Sequence, residues 1–298
     1  MPAAAVSPYL LLVLTTLFWS GNFVLGRAVH GEIPALALSF WRWAIALLLV
    51  LPLAWPQLRA HRGLLLGHWR SLTLLGVLGI TNFNSFVYLG LRDTTATNAV
   101  LMVSTAPVLI VLLSFLLLGQ RPTPRQALGV VVSLSGVAVI VARGDWHVLA
   151  QLALNLGDAW VFAAVVSWAL YSVCLRWRPA GLPPLAFLAA TMLTGLLALI
   201  PIYLWDRLVA GHVLAINSVT LASIAYVAIF PSVLAYIFWN RAVAELGPNR
   251  CGQFLHLMPA FGALLSWLLL DERLYAYHWA GIALIATGLW LATAGRRS

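Results

Sequence analysis

The sequence has few charged residues for its length. Only 8% of its 298 residues are Asp, Glu, Lys or Arg, whereas 62% are hydrophobic, and the mean hydropathy is +0.95. A soluble domain carries about 25% charged residues. This composition excludes a water-soluble globular protein, because so few polar side chains cannot cover a folded surface. It predicts a protein whose surroundings are largely lipid.

Lysine is absent and cysteine is scarce. All basic residues are arginines, and the net charge is +9. The arginines stand singly or in small groups between apolar runs, which indicates topology signals at membrane faces and not a stripe that binds nucleic acid. The two cysteines, Cys174 and Cys251, provide neither a disulfide framework nor a metal site. The expected partners are a small-molecule substrate and membrane lipid, with no nucleic acid, metal or cofactor.

Acidic residues are missing from the interiors of the long apolar runs. All eight stand at or near the ends of such runs: Glu32, Asp93, Asp145, Asp158, Asp206, Glu245, Asp271 and Glu272. Ion-coupled carriers usually place a carboxylate within the membrane, so this absence favours facilitated transport without ion coupling. No HExxH, GxSxG or metal-spaced Cys/His cluster appears either, so an enzyme is not expected.

Ten apolar segments are candidates for membrane-spanning helices, which need about 20 mostly apolar residues. They are 8–28, 34–54, 71–90, 95–118, 126–142, 157–176, 184–205, 218–239, 249–270 and 276–294. If both termini are cytoplasmic, the cytoplasmic side carries more of the loop arginines than the external side, as the positive-inside rule requires. We therefore predict an all-α integral membrane protein with ten transmembrane helices and cytoplasmic termini.

The second half of the chain repeats the first. A shift of 152 residues pairs 99–142 with 251–294 without a gap, and a shift of 149 aligns the earlier segments. The matched pairs include Pro107/Pro259, Gly129/Gly281, Gly136/Gly288, Trp19/Trp168 and Arg27/Arg176. Five helices per half is an odd number, so the copy at 150–298 enters the membrane from the side opposite to the copy at 1–145. The prediction is one membrane domain of two inverted repeats around a central cavity, as in secondary transporters.

The segments that repeat also carry a resemblance to a known family. They are FWSGNFVLGR, SFWRW, LGLRDTTATNAVLMVSTAPVLIVLLSFLLLGQR, GDAWVFAAVVSWALYSVCLR and LMPAFGALLSWLLLDER. In order and spacing they resemble the EamA-like ten-helix branch of the drug/metabolite transporter superfamily, and within it the YddG-type exporters of aromatic and neutral amino acids. The resemblance implies an exporter in the bacterial cytoplasmic (inner) membrane that works by alternating access.

Polar and aromatic side chains within the predicted spans are the candidates for a substrate cavity, because unsatisfied polar groups are costly in hydrocarbon. They are Trp19, Asn22, Asn82, Asn84, Tyr88, Asn98, Met102, Trp168, Tyr171, Tyr236, Trp239, Gln253 and His256. An apolar cavity with a few convergent polar groups suits a neutral or zwitterionic amino acid. Ordinary interhelical packing and hydrogen bonding explain the same residues as well.

Arg42 is the one charge deep within a predicted span, and its repeat partner is Thr191. It could attract a substrate carboxylate, bind carbonyls at a helix end, or pair with Glu32 or Asp93. A phosphate carrier would be expected to place several basic residues in the cavity. Two alternatives stay open: aromatic walls also bind lipophilic or quaternary cations, and His256 could couple antiport to protons.

The repeated prolines and glycines indicate framework roles. Pro107 and Pro259 would each kink a helix and could serve as paired hinges or as static bends. Gly129, Gly136, Gly281 and Gly288 predict a close contact between the fifth and tenth helices and not a substrate contact.

Overall fold

Every regular element that the structure describes is helical. The computed structural model describes residues 6–94, 99, 102–103, 105–142, 145, 147, 156–270 and 275–293, and no β-strand occurs in these ranges. The α-helices are α1 (Pro8–Val29), α2 (Ala35–Ala60), α3 (Arg62–Gly67), α4 (Trp69–Gly76), α5 (Phe83–Asp93), α6 (Ala106–Leu118), α7 (Pro124–Val141), α8 (Leu156–Cys174), α9 (Pro184–Leu208), α10 (Ser218–Val227), α11 (Ala235–Leu246), α12 (Pro248–Gln253), α13 (Leu257–Leu270) and α14 (Ala276–Thr293). The prediction of an all-α protein is confirmed for these residues.

Several of these helices are long and apolar enough to cross a membrane. Within the described ranges six stretches qualify: Pro8–Gly26, Ala35–Ala60, Trp69–Asp93, Leu156–Trp177, Pro184–Leu208 and Ser218–Leu246. Shorter apolar helices lie at Ala106–Leu118, Pro124–Val139 and Ala276–Ala292. All of these stretches fall on predicted segments. The predicted ninth segment is divided into α12, a 3₁₀ turn (Phe254–His256) and α13.

Glycines allow α7 and α14 to pack with their backbones in close contact. A Cβ atom built on Gly129 would lie 2.6 Å from the carbonyl oxygen of Gly288, and one built on Gly136 would lie 2.7 Å from that of Gly281. Real Cβ atoms essentially never approach other atoms so closely. The predicted contact between these two helices is therefore confirmed, and it depends on the absence of side chains at these positions.

Two π-helical segments interrupt the long helices. Val77–Asn82 separates α4 from α5, and Ala228–Leu234 separates α10 from α11. The wider turns change the regular backbone pairing, and side chains bind carbonyl oxygens there: the Ser167 hydroxyl donates to Leu78 at 2.9 Å, and the Trp19 indole N–H donates to Pro231 at 3.0 Å. Such partners are what allows irregular helix geometry at membrane depth. These interruptions were not predicted from the sequence.

The repeated prolines lie at the beginnings of helices. Pro107 is the second residue of α6, and Pro259 is the third residue of α13, directly after the 3₁₀ turn. Proline in a first turn loses no intrahelical hydrogen bond, since those N–H groups have no partner in the helix anyway. The expectation that Pro107 and Pro259 each remove a hydrogen bond from a helix interior is therefore wrong, whereas the kinks and the hinge role stay predictions.

Candidate functional site

A small cavity lies where several helices meet. Its volume is about 20 Å³, which is room for about one water molecule. Its lining comes from α1, α2, α5, α6, α8, α13 and the adjoining segments, and thus from both predicted halves of the chain. The lining residues are Trp19, Asn22, Phe23, Arg42, Phe83, Asn84, Val103, Ala106, Val165, Trp168, Leu255 and Met258. We call this space the central cavity.

Arg42 lies beside the central cavity in a network of neutral groups. Its side chain is 1% exposed. One terminal guanidinium nitrogen donates to Asn84 Oδ1 at 2.8 Å, to the Tyr88 hydroxyl at 2.7 Å and to Asn22 Oδ1 at 3.2 Å. Tyr88 in turn donates to Asn22 Oδ1 at 2.8 Å. The pairing of Arg42 with Glu32 or Asp93, one of the sequence-based alternatives, is not found among its contacts.

Ser232 connects Arg42 to the π-helical segment at Ala228–Leu234. Arg42 Nε donates to the Ser232 hydroxyl at 2.8 Å, and that hydroxyl donates to the Val227 carbonyl oxygen at 2.6 Å. Pro231, within the segment, has no N–H to offer to the helix. Ser232 therefore satisfies a backbone carbonyl and holds the guanidinium group at the same time.

We expect Ser232→Ala to destabilise the protein by about 1–3 kcal/mol, because it leaves a buried carbonyl and a buried guanidinium N–H without their partner. Ser135→Ala is the matched control, since Ser135 is exposed and bonds only to Val132 of its own helix. The measurement is the unfolding temperature of each purified variant in detergent. Equal unfolding temperatures for the two variants would show that Ser232 is dispensable.

A larger cavity lies beyond Tyr88. Its volume is about 400 Å³, and its lining includes polar groups of loops and helix ends, among them Glu32, Arg92, Asp206 and His212. His212 Nδ1 lies 2.8 Å from the carboxylate of Asp206. Tyr88 lines this cavity and also bonds the network around Arg42. Tyr88 therefore stands between the larger cavity, which we call the vestibule, and the central cavity.

Six aromatic rings pack together beside the central cavity. This aromatic cluster consists of Trp19, Trp43, Trp168, Tyr171, Tyr236 and Trp239. The ring centroid of Trp168 lies 4.8 Å from that of Trp19, 5.1 Å from that of Tyr171 and 5.4 Å from that of Trp239. Two hydrogen bonds connect the aromatic cluster to neighbouring residues: Tyr171 donates to Asn240 Oδ1 at 2.7 Å, and Tyr236 donates to the Gly79 carbonyl. Trp19 and Trp168 belong to the cluster and also line the central cavity.

The predicted cavity residues fall into distinct groups. Those that line the central cavity are Trp19, Asn22, Arg42, Asn84 and Trp168. Tyr88 lines the vestibule, and Tyr171, Tyr236 and Trp239 belong to the aromatic cluster. The others do not line either cavity: Asn82 ends a π-helical segment, Met102 packs against the core, and Gln253 and His256 are buried at the break between α12 and α13. Asn98 lies outside the described residues.

Sequence reasoning missed most of the apolar lining. These residues are Phe23, Phe83, Val103, Ala106, Val165, Leu255 and Met258. In a chain that is 62% hydrophobic, nothing marks one apolar residue as a cavity residue. Ser232 was missed too, although its place directly after Pro231 within an apolar span was a usable signal.

No carboxylate is among the described residues that line the central cavity. The buried acidic side chains in the described ranges are Asp158, in the first turn of α8, and Asp206, in the last turn of α9. Asp158 accepts a hydrogen bond from Thr94. A search of the described residues finds no group of three or more His, Cys, Asp and Glu side chains that could hold a metal ion.

Comparisons with known proteins place the chain among transporters. Residues 6–142 and 155–294 match the profile of the EamA-like transporter family. The chain is 30% identical over 294 residues to a "probable terminal-alkyne amino-acid exporter" of Streptantibioticus cattleyicolor, covering 96% of this chain and 94% of the relative. It is 25% identical over 297 residues to a "probable amino-acid metabolite efflux pump" of Escherichia coli, covering 96% and 95%. A crystal structure with 22% identity shares the fold, with a TM-score of 0.78 over 98% of both chains.

Proposed function

Because this chain belongs to the EamA-like transporter family, we propose that it exports small neutral or zwitterionic metabolites, above all aromatic and other hydrophobic amino acids. The protein is a multi-pass membrane transporter. Beyond the family, the proposal specifies the class of substrate, export as the direction of transport and alternating access as the mechanism. It assigns no enzymatic activity.

The observation that carries the proposal is the central cavity, where residues of both predicted repeats meet. The cavity is walled by apolar and aromatic side chains and has a few polar groups, as small-molecule sites have. The network at Tyr88 lies between it and the vestibule, and rings of the aromatic cluster form part of its wall. At about 20 Å³ the cavity holds about one water molecule, so the transport cycle we propose widens it around the substrate and opens it to each side of the membrane in turn.

The architecture we propose consists of ten spans in two inverted repeats, 1–145 and 150–298, within one membrane domain. The sequence repeat supports it, and so do the two π-helical segments, because Val77 and Ala228 are 151 residues apart. Pro107 and Pro259 remain candidates for paired hinges at the starts of α6 and α13. The arginine distribution supports cytoplasmic termini, and bacterial relatives support a place in the bacterial cytoplasmic membrane.

The proposed substrate follows from the chemistry of the walls. Trp19, Phe23, Phe83 and Trp168 offer aromatic surface to an apolar side chain. Two relatives whose printed names refer to amino-acid export support the same class. We further propose transport without ion coupling, since none of the described residues that line the central cavity carries a carboxylate. Proton-coupled antiport through His256, which is buried outside that lining, is the competing mechanism.

The test is the uptake of labelled phenylalanine into liposomes that contain the purified protein. We expect saturable uptake that dissipates a substrate gradient, at a rate unchanged by an imposed pH gradient, because the proposed mechanism moves no proton. Protein-free liposomes and liposomes with heat-denatured protein are the controls. No uptake above these controls would refute amino-acid transport, and strict dependence on the pH gradient would refute the uncoupled mechanism.

A further inference from the structure

We propose that Arg42 binds the carboxylate of the transported molecule, and that the carboxylate, more than the amino group, defines the substrates; this rests on the proposed function. The guanidinium group is buried and lines the central cavity. Its hydrogen-bond partners are the side chains of Asn22, Asn84, Tyr88 and Ser232, all of them neutral. Among the described residues, no carboxylate forms a hydrogen bond or salt bridge with Arg42.

A buried charge without a counter-ion is costly, and membrane proteins keep one at depth mainly for function. Neutral hydrogen bonds satisfy part of the guanidinium group but leave its net charge in place. An anion that enters the cavity would supply the missing charge through a charge-assisted hydrogen bond. Binding of the anionic group would then offset the free-energy cost of burying the charge of Arg42.

A second residue that lines the same space offers a hydrogen-bond donor. The indole Nε1 of Trp168 makes no hydrogen bond in the structure, although its side chain is almost fully buried and Trp168 lines the cavity. A buried donor without an acceptor, in a cavity that a positive charge also lines, favours a ligand that offers an acceptor and carries negative charge. The Asn22 side-chain oxygen already accepts bonds from Arg42 and Tyr88.

The positive charge of Arg42 favours substrates with a carboxylate over substrates that are cations. A lipophilic or quaternary cation would meet the positive charge of Arg42 in a medium of low dielectric constant, where repulsion is strong. The part of the lining that the structure describes contains no acidic side chain to serve as a counter-ion for an ammonium group. An aromatic acid without an amino group therefore satisfies the site, whereas an aromatic amine without a carboxylate does not.

The experiment compares two fragments of phenylalanine as competitors for its uptake into liposomes. One is 3-phenylpropionate, which lacks the amino group, and the other is phenethylamine, which lacks the carboxylate. We expect 3-phenylpropionate to compete with an affinity close to that of phenylalanine. We expect phenethylamine to compete roughly 10- to 100-fold more weakly, which is the range for one charge-assisted contact. Equal competition by the amine would overturn the proposal.

Two variants test the residue itself. We expect Arg42→Gln to raise the half-saturating phenylalanine concentration roughly 10- to 100-fold and to abolish the preference for the acid. Asn84→Asp keeps the shape of the side chain that already bonds Arg42 at 2.8 Å and places a carboxylate in the site. It should fold even if Arg42→Gln does not, and it should lose competition by 3-phenylpropionate. Retention of that competition in Asn84→Asp would overturn the proposal.

A direct measurement separates this inference from the transport proposal. The unfolding temperature of the purified wild-type protein in detergent should rise with 3-phenylpropionate and not with phenethylamine, and the rise should be absent in Asn84→Asp. This readout requires no flux. Failure of phenylalanine uptake with an intact thermal shift would refute the transported substrate alone, whereas the absence of any shift in the wild-type protein would refute the role of Arg42.

Discussion

Replacing Gly288 by valine should remove the contact between α7 and α14 and cost the protein about 3 kcal/mol or more of its stability. A Cβ atom on Gly288 would lie 2.5 Å from the backbone nitrogen of Ser133 and 2.6 Å from the carbonyl oxygen of Gly129. Both are main-chain atoms, so no side-chain rotation relieves the overlap. The helices must separate, and the loss includes the packing of the whole interface as well as local strain.

The control for this substitution is Gly262→Val. Gly262 is also a helical glycine in an apolar segment, in α13, and a Cβ atom there would meet nothing within 4 Å. Both variants lose the same backbone freedom and gain the same side chain. We expect Gly288→Val to lower the unfolding temperature in detergent strongly and Gly262→Val to change it little. If the two variants lose stability equally, the close contact is not what makes glycine necessary at position 288.

The second large effect is expected from Trp168, the ring with the most aromatic neighbours in the cluster. Its centroid lies within 6 Å of those of Trp19, Phe83, Tyr171, Tyr236 and Trp239. Trp168→Ala should cost about 3–5 kcal/mol, because it leaves a cavity that these packed rings cannot fill. Trp239→Ala should cost about the same, since Trp239 is 0% exposed.

Uptake measurements should distinguish Trp168 from Trp239, whereas unfolding measurements should not. Trp168 lines the central cavity and Trp239 does not. We expect the milder Trp168→Phe to raise the half-saturating phenylalanine concentration roughly 5- to 30-fold, as the loss of about 1–2 kcal/mol of contact requires. Trp239→Phe should leave that concentration near its wild-type value. Equal effects on uptake would mean that the cluster acts only as a packed core.

The sequence predicted the function of residues best where a local pattern was sufficient. Gly129 and Gly288 were assigned to helix contact, and that assignment is confirmed, because small residues repeated along a helix directly produce a surface for close approach. Pro107 was harder to interpret. Its effect depends on whether the helix begins before or after it, and α6 begins at Ala106, where proline costs no hydrogen bond.

The candidate site was predictable only in part. Trp19, Asn22, Asn84, Trp168 and Arg42 could be named because polar and indole groups are conspicuous in apolar spans, and the structure brings all of them to one cavity. The same reasoning also selected Tyr171 and Trp239, which pack in the aromatic cluster. A tryptophan in the sequence does not show whether its indole ring will face a cavity or another ring. The pattern therefore could not separate the cavity residues from those that only pack in the cluster.

The class of protein, the placement of its apolar helices and the helix pair that packs through glycine can be predicted from the sequence alone, because composition and spacing along one helix control those properties. The contacts of Arg42, the positions of the π-helical turns and the choice of aromatic rings that line the cavity depend on how the helices pack. Arg42 and Ser232 are 190 residues apart in the chain, and no local pattern specifies that they meet. Their contact depends on how α2 packs against the interrupted helix at Pro231, and therefore on the whole bundle.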